Sequence, residues 1–171
     1  ERGHAGRADG VTVVPDRIIV DISPAGTGAR FATLPHDDYA EVMGVIAAYG
    51  RYYDDDRIDD FMGLIAGDAV YYPNWPGVAP DEVSGHETLR GFFGGARAHA
   101  RSNGVQPRHY ATNVILAKAT PTSAHASVSM LYAESQAGGA VAVKMIGQYD
   151  YQLEKRAGRW LITRWSMRYD K

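Results

Sequence analysis

The stretch GQYDYQLEKRAGRWLITRW, residues 147–165, decides the fold, because two segments rich in β-branched and aromatic residues meet at the turn signal Arg156-Ala157-Gly158. Such residues suit a pleated, half-buried surface, and a short break containing Gly between two of these runs marks a hairpin. The same grammar recurs upstream. AVAVKMIGQYDYQLEK (140–155) follows the break AGG, SAHASVSMLYAESQ follows PTS, and RHYATNVILAKAT (108–120) precedes them. From about residue 108 onward the chain therefore reads as a meander of long strands.

Before residue 108 the period changes. Tyr39, Val42, Met43, Ile46, Tyr49, Gly50 and Tyr53 recur at spacings of three and four, an apolar stripe on one helix face. Asp38 followed by Glu41 has the form of a capping box and predicts the helix start. A second helix is predicted over about 56–66, with Ile58, Phe61, Met62 and Ile65 inward. AVYYPNWPG reads as a strand entering a Pro-rich turn. Ser84 and Glu87 form a second capping-box pattern ahead of the helix GHETLRGFFGGARAHARS. Three helices combined with a strand meander predict an α+β fold, with the helices on one face of a curved antiparallel sheet. VTVVPDRIIVDI reads as one or two short strands broken at Pro15, and residues 1–10 as a polar tail. The expected division is an N-terminal extension over 1–37 and one domain over 38–171.

Composition bounds the function. The 171 residues are 45% hydrophobic and 22% charged, ordinary for a globular domain large enough to bury a core. A net charge of −2 with scattered basic residues offers no footprint for nucleic acid, and no apolar run approaches a membrane span. Cysteine is absent, which excludes disulfides, thiolate catalysis and cysteine zinc sites. A cytoplasmic location is the expectation. DDDRIDD is not an EF-hand loop, since Asp59 stands at the glycine position and Ile65 at the twelfth. GFFGGARAHARSNG lacks the Lys-Ser/Thr of a P-loop, no G-x-S-x-G elbow occurs, and no His spacing suggests a metal.

Three segments carry a family resemblance: Tyr49 to Asp54 followed by IAGDAVYY, the helix opening SGHETLRGFF, and Arg108-His109 with Asn113, completed by the closing hairpin. In order and spacing they resemble the SnoaL-like branch of the NTF2-like superfamily over roughly residues 38–169. The resemblance implies a cone-shaped α+β barrel, three helices closing a bent sheet around a pocket. Relatives of this pattern include scytalone dehydratase, bile-acid dehydratases, polyketide cyclases, ketosteroid isomerase and non-enzymatic binders, so the function must be argued from the site. Homodimers through the outer sheet face are common among them, and a homodimer is the expectation here.

Among the histidines, His109 stands at the mouth of a long strand, sharing a face with Ala111, Asn113 and Ile115 by the period-two rule. It is either a structural histidine bonded to the backbone or, as the resemblance implies, a pocket base. Imidazole titrates near ~6.5 and suits proton transfer at neutral pH. Asp54 is its expected partner, since a carboxylate fixes the tautomer of a His base. It follows Tyr53 at the end of the stripe and lies five after Tyr49, as in the family's dehydratases. Asp55, Asp56, Asp59 and Asp60 read instead as a solvated helix junction.

Tyr49 and Tyr53 share a helix face, where core packing is the default; Tyr49 is the expected hydrogen-bond donor to substrate and Tyr53 a wall residue. Tyr71, Trp75, Asn113, Met130, Tyr132 and Met145 are the further expected substrate contacts. One departure from the family's dehydratases is that SVSMLYAES presents Ser127, Ser129 and Tyr132 where some relatives carry a second His or acid. The resulting expectation is a lyase or isomerase of dehydratase type, without metal or cofactor, on a hydrophobic oxygenated small molecule such as a polyketide, steroid-like or aromatic metabolite. A ring-closing cyclase and a non-catalytic binding or scaffold protein are the alternatives.

Overall fold

A computed structural model of the chain describes residues 11–14, 17–20, 34–74, 82–136 and 138–170. β1 (Val11–Val14) and β2 (Arg17–Val20) form a two-stranded antiparallel sheet of their own. Then follow α1 (His36–Asp54), α2 (Ile58–Met62), β3 (Ile65–Tyr72), β4 (Val83–Ser84) and α3 (His86–Ser102). The meander is β5 (Val105–Thr120), β6 (Ser123–Gln136), β7 (Ala142–Arg156) and β8 (Arg159–Tyr169). The sheet order is β4-β3-β8-β7-β6-β5.

This is the α+β cone of the sequence reading, with one correction to its sheet. The sheet is mixed and open, because β3 pairs with β8 in parallel while its other neighbours run antiparallel. The reason is the path of the chain: β3 leaves through α3 to the far edge, and the four-strand meander returns to its side running the same way. Parallel neighbours require such a crossover, whereas the sequence reading considered only hairpins.

The helix starts also differ from expectation. α1 begins at His36 behind Pro35, with no side-chain cap, so Asp38 already lies within the first turn. Its carboxylate instead accepts from the Lys155 ammonium (2.5 Å) and the Trp160 indole (2.9 Å). Glu41 accepts from the Trp160 backbone N–H at 2.9 Å. These two acids pin α1 to the β7–β8 hairpin. α3 likewise starts at His86 after Gly85 (φ 83°), with Ser84 in a strand and no side-chain cap. α2 is only five residues long, since Gly63 closes it and Ile65 already opens β3.

The buried face of α1 carries Val42, Val45, Ile46, Tyr49, Gly50 and Asp54, while Tyr39 at the start of the expected stripe is exposed. Under this face lies an aromatic core. Trp165 is fully buried and stacks on Tyr71 (centroids 4.9 Å, 23°) and Phe93 (6.0 Å, 20°), with Tyr49 edge-on at 6.1 Å. Such pairs add to the area term and truncating one of these large rings to Ala costs about 3–5 kcal/mol. Among the described residues no helix is long and apolar enough to cross a membrane.

Candidate active site

α1 ends where Asp56 turns into the left-handed conformation (φ 59°), one that Asp tolerates better than most residues. The residue at the end of the helix, Asp54, is one turn beyond Gly50 and faces β5. Gly50 makes the close approach possible. A Cβ there would lie 2.9 Å from the Cβ of His109, so any larger residue would push strand and helix apart.

With that approach, Asp54 spends both carboxylate oxygens on one residue. Oδ1 is 2.6 Å from His109 Nδ1, and Oδ2 accepts the His109 backbone N–H at 2.6 Å. A carboxylate only accepts, so Nδ1 carries the proton, and in the neutral form of the ring the lone pair is on Nε2. Asp54 is 2% exposed, and the Gln106 amide donates to its backbone carbonyl at 2.8 Å. The other acids of the junction go elsewhere: Asp55 pairs with Arg51 and Arg108, Asp56 with Arg97 and Arg101, Asp59 with Arg90, and Asp60 with Arg57.

His109 lines a cavity of about 540 Å³ between α1, α3 and the inner face of the sheet. Its ring is flanked by Tyr53 (5.5 Å, 81°) and Tyr132 (4.7 Å, 48°). Phe92, Phe93, Met145 and Met167 form the apolar wall, and Tyr49, Tyr71, Tyr149 and Tyr169 belong to the lining as well. Burial pushes Tyr53 up to about 12, against the opposing influence of Arg97. Burial likewise raises Tyr49 and Tyr71 well above the ordinary phenol range. These hydroxyls therefore stay protonated and can serve only as neutral donors or acceptors.

Tyr49 is placed with one specific partner: its oxygen accepts from the Trp165 indole N–H at 2.9 Å. Tyr132 donates to Glu134 at 2.7 Å, and burial followed by that carboxylate raises its pKa.

Of the expected site residues, His109, Tyr49, Tyr53, Tyr71, Tyr132 and Met145 line one cavity, with Asp54 directly behind the histidine. Two do not belong there. Asn113 sits in a bulge at φ 51°, exposed, because the register of β5 against β6 shifts between Thr112 and Ile115 and breaks the alternation that would have aligned it with His109. Met130 is buried in the core and is not part of the cavity lining. Trp75 lies outside the described residues. The sequence reading missed Glu134, Lys144, Phe92, Phe93, Ala96, Tyr149, Met167 and Tyr169. For Tyr149 a signal existed, since it lies on the alternation of Met145; for Lys144 none did, since the same alternation points it outward. No group of three His, Cys, Asp or Glu side chains able to hold a metal occurs among the described residues.

A model of the SnoaL-like domain matches residues 36–166. The chain belongs to the SnoaL-like family. That family includes dehydratases and cyclases. No curated protein matches the chain. Among solved structures, a candidate aromatic ring hydroxylase of Novosphingobium aromaticivorans is 21% identical, with a TM-score of 0.69 over 81% of this chain and 93% of that one. A candidate scytalone dehydratase of the same organism is 14% identical, with a TM-score of 0.63 over 79% and 85%. A Catenulispora acidiphila protein in complex with S-DNPA is 20% identical, with a TM-score of 0.65 over 80% and 96%. At these identities the three neighbours share the fold with this chain.

Proposed function

We propose that this SnoaL-like protein is a lyase or isomerase of dehydratase type that works by His–Asp acid–base chemistry, without a cofactor, on a hydrophobic oxygenated small molecule. The observation that carries the reading is the 2.6 Å contact of Asp54 with His109 Nδ1 beside an aromatic cavity of about 540 Å³. A cavity of this size, apolar with a few convergent polar groups, suits a polyketide-like or aromatic ligand of two or three rings.

In this reading Nε2 of His109 takes a proton from the carbon next to a ketone, and electron density moves to the carbonyl oxygen. Asp54 holds the ring in the productive tautomer and stabilises the imidazolium. Tyr49 receives the Trp165 N–H on its oxygen, which leaves its own O–H proton to donate to the enolate oxygen. Receiving one hydrogen bond polarises the hydroxyl toward giving the next. The imidazolium then returns its proton to the departing β-hydroxyl, so water leaves, the alkene forms and His109 is neutral again. The same carbanion attacking a second carbonyl would close a ring, which is the cyclase alternative. The open cavity, with Tyr132 in its wall rather than filling it, speaks for chemistry over a scaffold role.

The test uses a bicyclic aromatic β-hydroxyketone that loses water to give a naphthol, followed by naphthol absorbance. Proton transfer by a positioned side chain supplies about 10²–10⁴ in rate. His109→Ala and Asp54→Asn should lose turnover by that order while keeping a native circular dichroism spectrum. Full activity in either variant on a substrate the parent turns over would overturn the proposal.

A further inference from the structure

Lys144 should not face the cavity. Strict alternation along β7 puts Met145 inward and both Lys144 and Ile146 outward. The ladder to β6 explains the exception: Tyr132 pairs with Met145 but Ala133 pairs with Val143, so Lys144 is an extra residue with no partner opposite. This is a β-bulge, and a bulge turns two successive side chains toward one face. Lys144 and Met145 accordingly both line the cavity.

The bulge places Lys144 beside Glu134, and the bonding of the two is unequal. Glu134 accepts from the Tyr132 hydroxyl at 2.7 Å through Oε1, while its Oε2 lies 3.7 Å from the Lys144 ammonium. That separation exceeds a hydrogen bond, and among the described residues Lys144 has no other polar partner. Among the described residues its three N–H donors thus have no acceptor in bonding range, on a side chain half-exposed to solvent. The Tyr132 proton is already committed to Glu134, so the donors this end of the cavity has to offer a ligand are those of the Lys144 ammonium, with the Glu134 carboxylate beside it as the competing acceptor.

His109, Tyr132 and Met145 form one row across β5, β6 and β7. At about 4.8 Å per strand, the Lys144 end of the row lies about 10 Å from His109, roughly the span of two fused rings with one substituent.

We infer that Lys144 is a specificity-determining residue, which selects flat, fused-ring ligands carrying an ionised oxygen group, such as a carboxylate, at the end remote from His109. The inference rests on the cavity being the substrate site of the proposed function. It asks nothing of the reaction itself, so a binding experiment separates the two.

The probes are naphthoate and its neutral isostere acetylnaphthalene, titrated calorimetrically near neutral pH into the parent protein, Lys144→Met and Glu134→Gln. A charge-assisted contact at a half-exposed lysine, discounted for solvent, is worth about a 5- to 20-fold change in affinity. Lys144→Met should weaken naphthoate by that factor and leave acetylnaphthalene within about twofold. Glu134→Gln should tighten naphthoate by removing the competing negative charge, and added salt should weaken naphthoate alone. If both probes bind and Lys144→Met treats them alike, the role of Lys144 is refuted while the acid–base reading stands. If neither probe binds the parent protein, the cavity does not select such ligands and this inference is refuted, while the acid–base reading is decided by the turnover of the His109 and Asp54 variants.

Discussion

Gly50→Ala sets two measurable effects against each other. In a helix interior Ala is favoured over Gly by about 0.5–1 kcal/mol, so helix propensity alone predicts stabilisation. The structure predicts the reverse. The added methyl would lie 2.9 Å from His109 Cβ, 3.6 Å from its carbonyl oxygen and 3.8 Å from Cγ. Carbon atoms prefer about 3.5–4.0 Å, so α1 and β5 must part by roughly 0.6–1 Å. The obstacle is the root of a side chain clamped at ring and backbone by Asp54, so it has no free rotamer into which to retreat.

Overpacking of this kind costs about 1–3 kcal/mol, which exceeds the propensity gain. A net loss of about 0.5–2 kcal/mol follows, seen as a fall of about 1–8 °C in Tm for a chain of this size. The larger effect falls on the dyad one turn away, since a misplacement near 1 Å can cost about 10²-fold in rate. Gly44, in the same helix and with nothing within 4 Å of where a methyl would sit, is the control, and Gly44→Ala should gain most of the propensity term. Denaturant melts of both variants give the stabilities, and the downfield proton resonance of the Nδ1–H to Asp54 bond reports the dyad. If Gly50→Ala is stabilised as much as Gly44→Ala and keeps the resonance unshifted, the close-approach argument is refuted.

Tyr49→Phe removes the acceptor of a fully buried indole N–H, so it should cost about 1–3 kcal/mol in chemical denaturation and also lower turnover. Asp38 is held below its ordinary 3.8 by the Lys155 hydrogen bond first and the Trp160 bond second. A lowered carboxylate contributes stability above its unfolded pKa and loses it as pH falls through the folded value. Asp38→Asn should thus be less stable than the parent at neutral pH, with the gap closing in acid; a gap independent of pH in denaturant melts would contradict this. We propose that the homodimer expected from the resemblance uses the cross-strand row Tyr110, Leu131 and Ile146, on the face away from His109, where Tyr110 and Ile146 are more than half exposed. Sedimentation should give twice the chain mass, and Ile146→Glu should halve it; a monomeric parent protein removes the proposal.

Much of the fold was legible in local pattern. The turn at Arg156–Gly158 and the runs of β-branched and aromatic residues mark the meander, and the three-four spacing of Val42, Ile46 and Tyr49 marks α1. Patterns of this kind depend on neighbours within one turn or one strand pair, so a sequence displays them directly. The capping boxes failed for the opposite reason. Asp38 and Glu41 have the right spacing to cap α1, yet Lys155 and Trp160, more than a hundred residues away in the chain, present better-placed donors. The parallel placement of β3 beside β8 was equally invisible, because the choice of sheet edge is made by the return of a distant strand.

For the candidate site, the residue types came from the sequence and their selection came from the fold. Five acids lie between residues 54 and 60, and helix phase together with the resemblance was enough to single out Asp54 and to name His109 as its partner. That the two meet at 2.6 Å depends on Gly50 letting β5 against α1, a contact between segments nearly sixty residues apart. Alternation, the rule that set Asn113 on the face of His109, holds only while the register holds. Tyr132 and Met145 keep their register with His109 and line the cavity, but a bulge in β5 carried Asn113 out to solvent and one in β7 brought Lys144 in. A sequence shows the period of a strand; where that period slips is decided by the pairing of two strands, which exists only in the folded sheet.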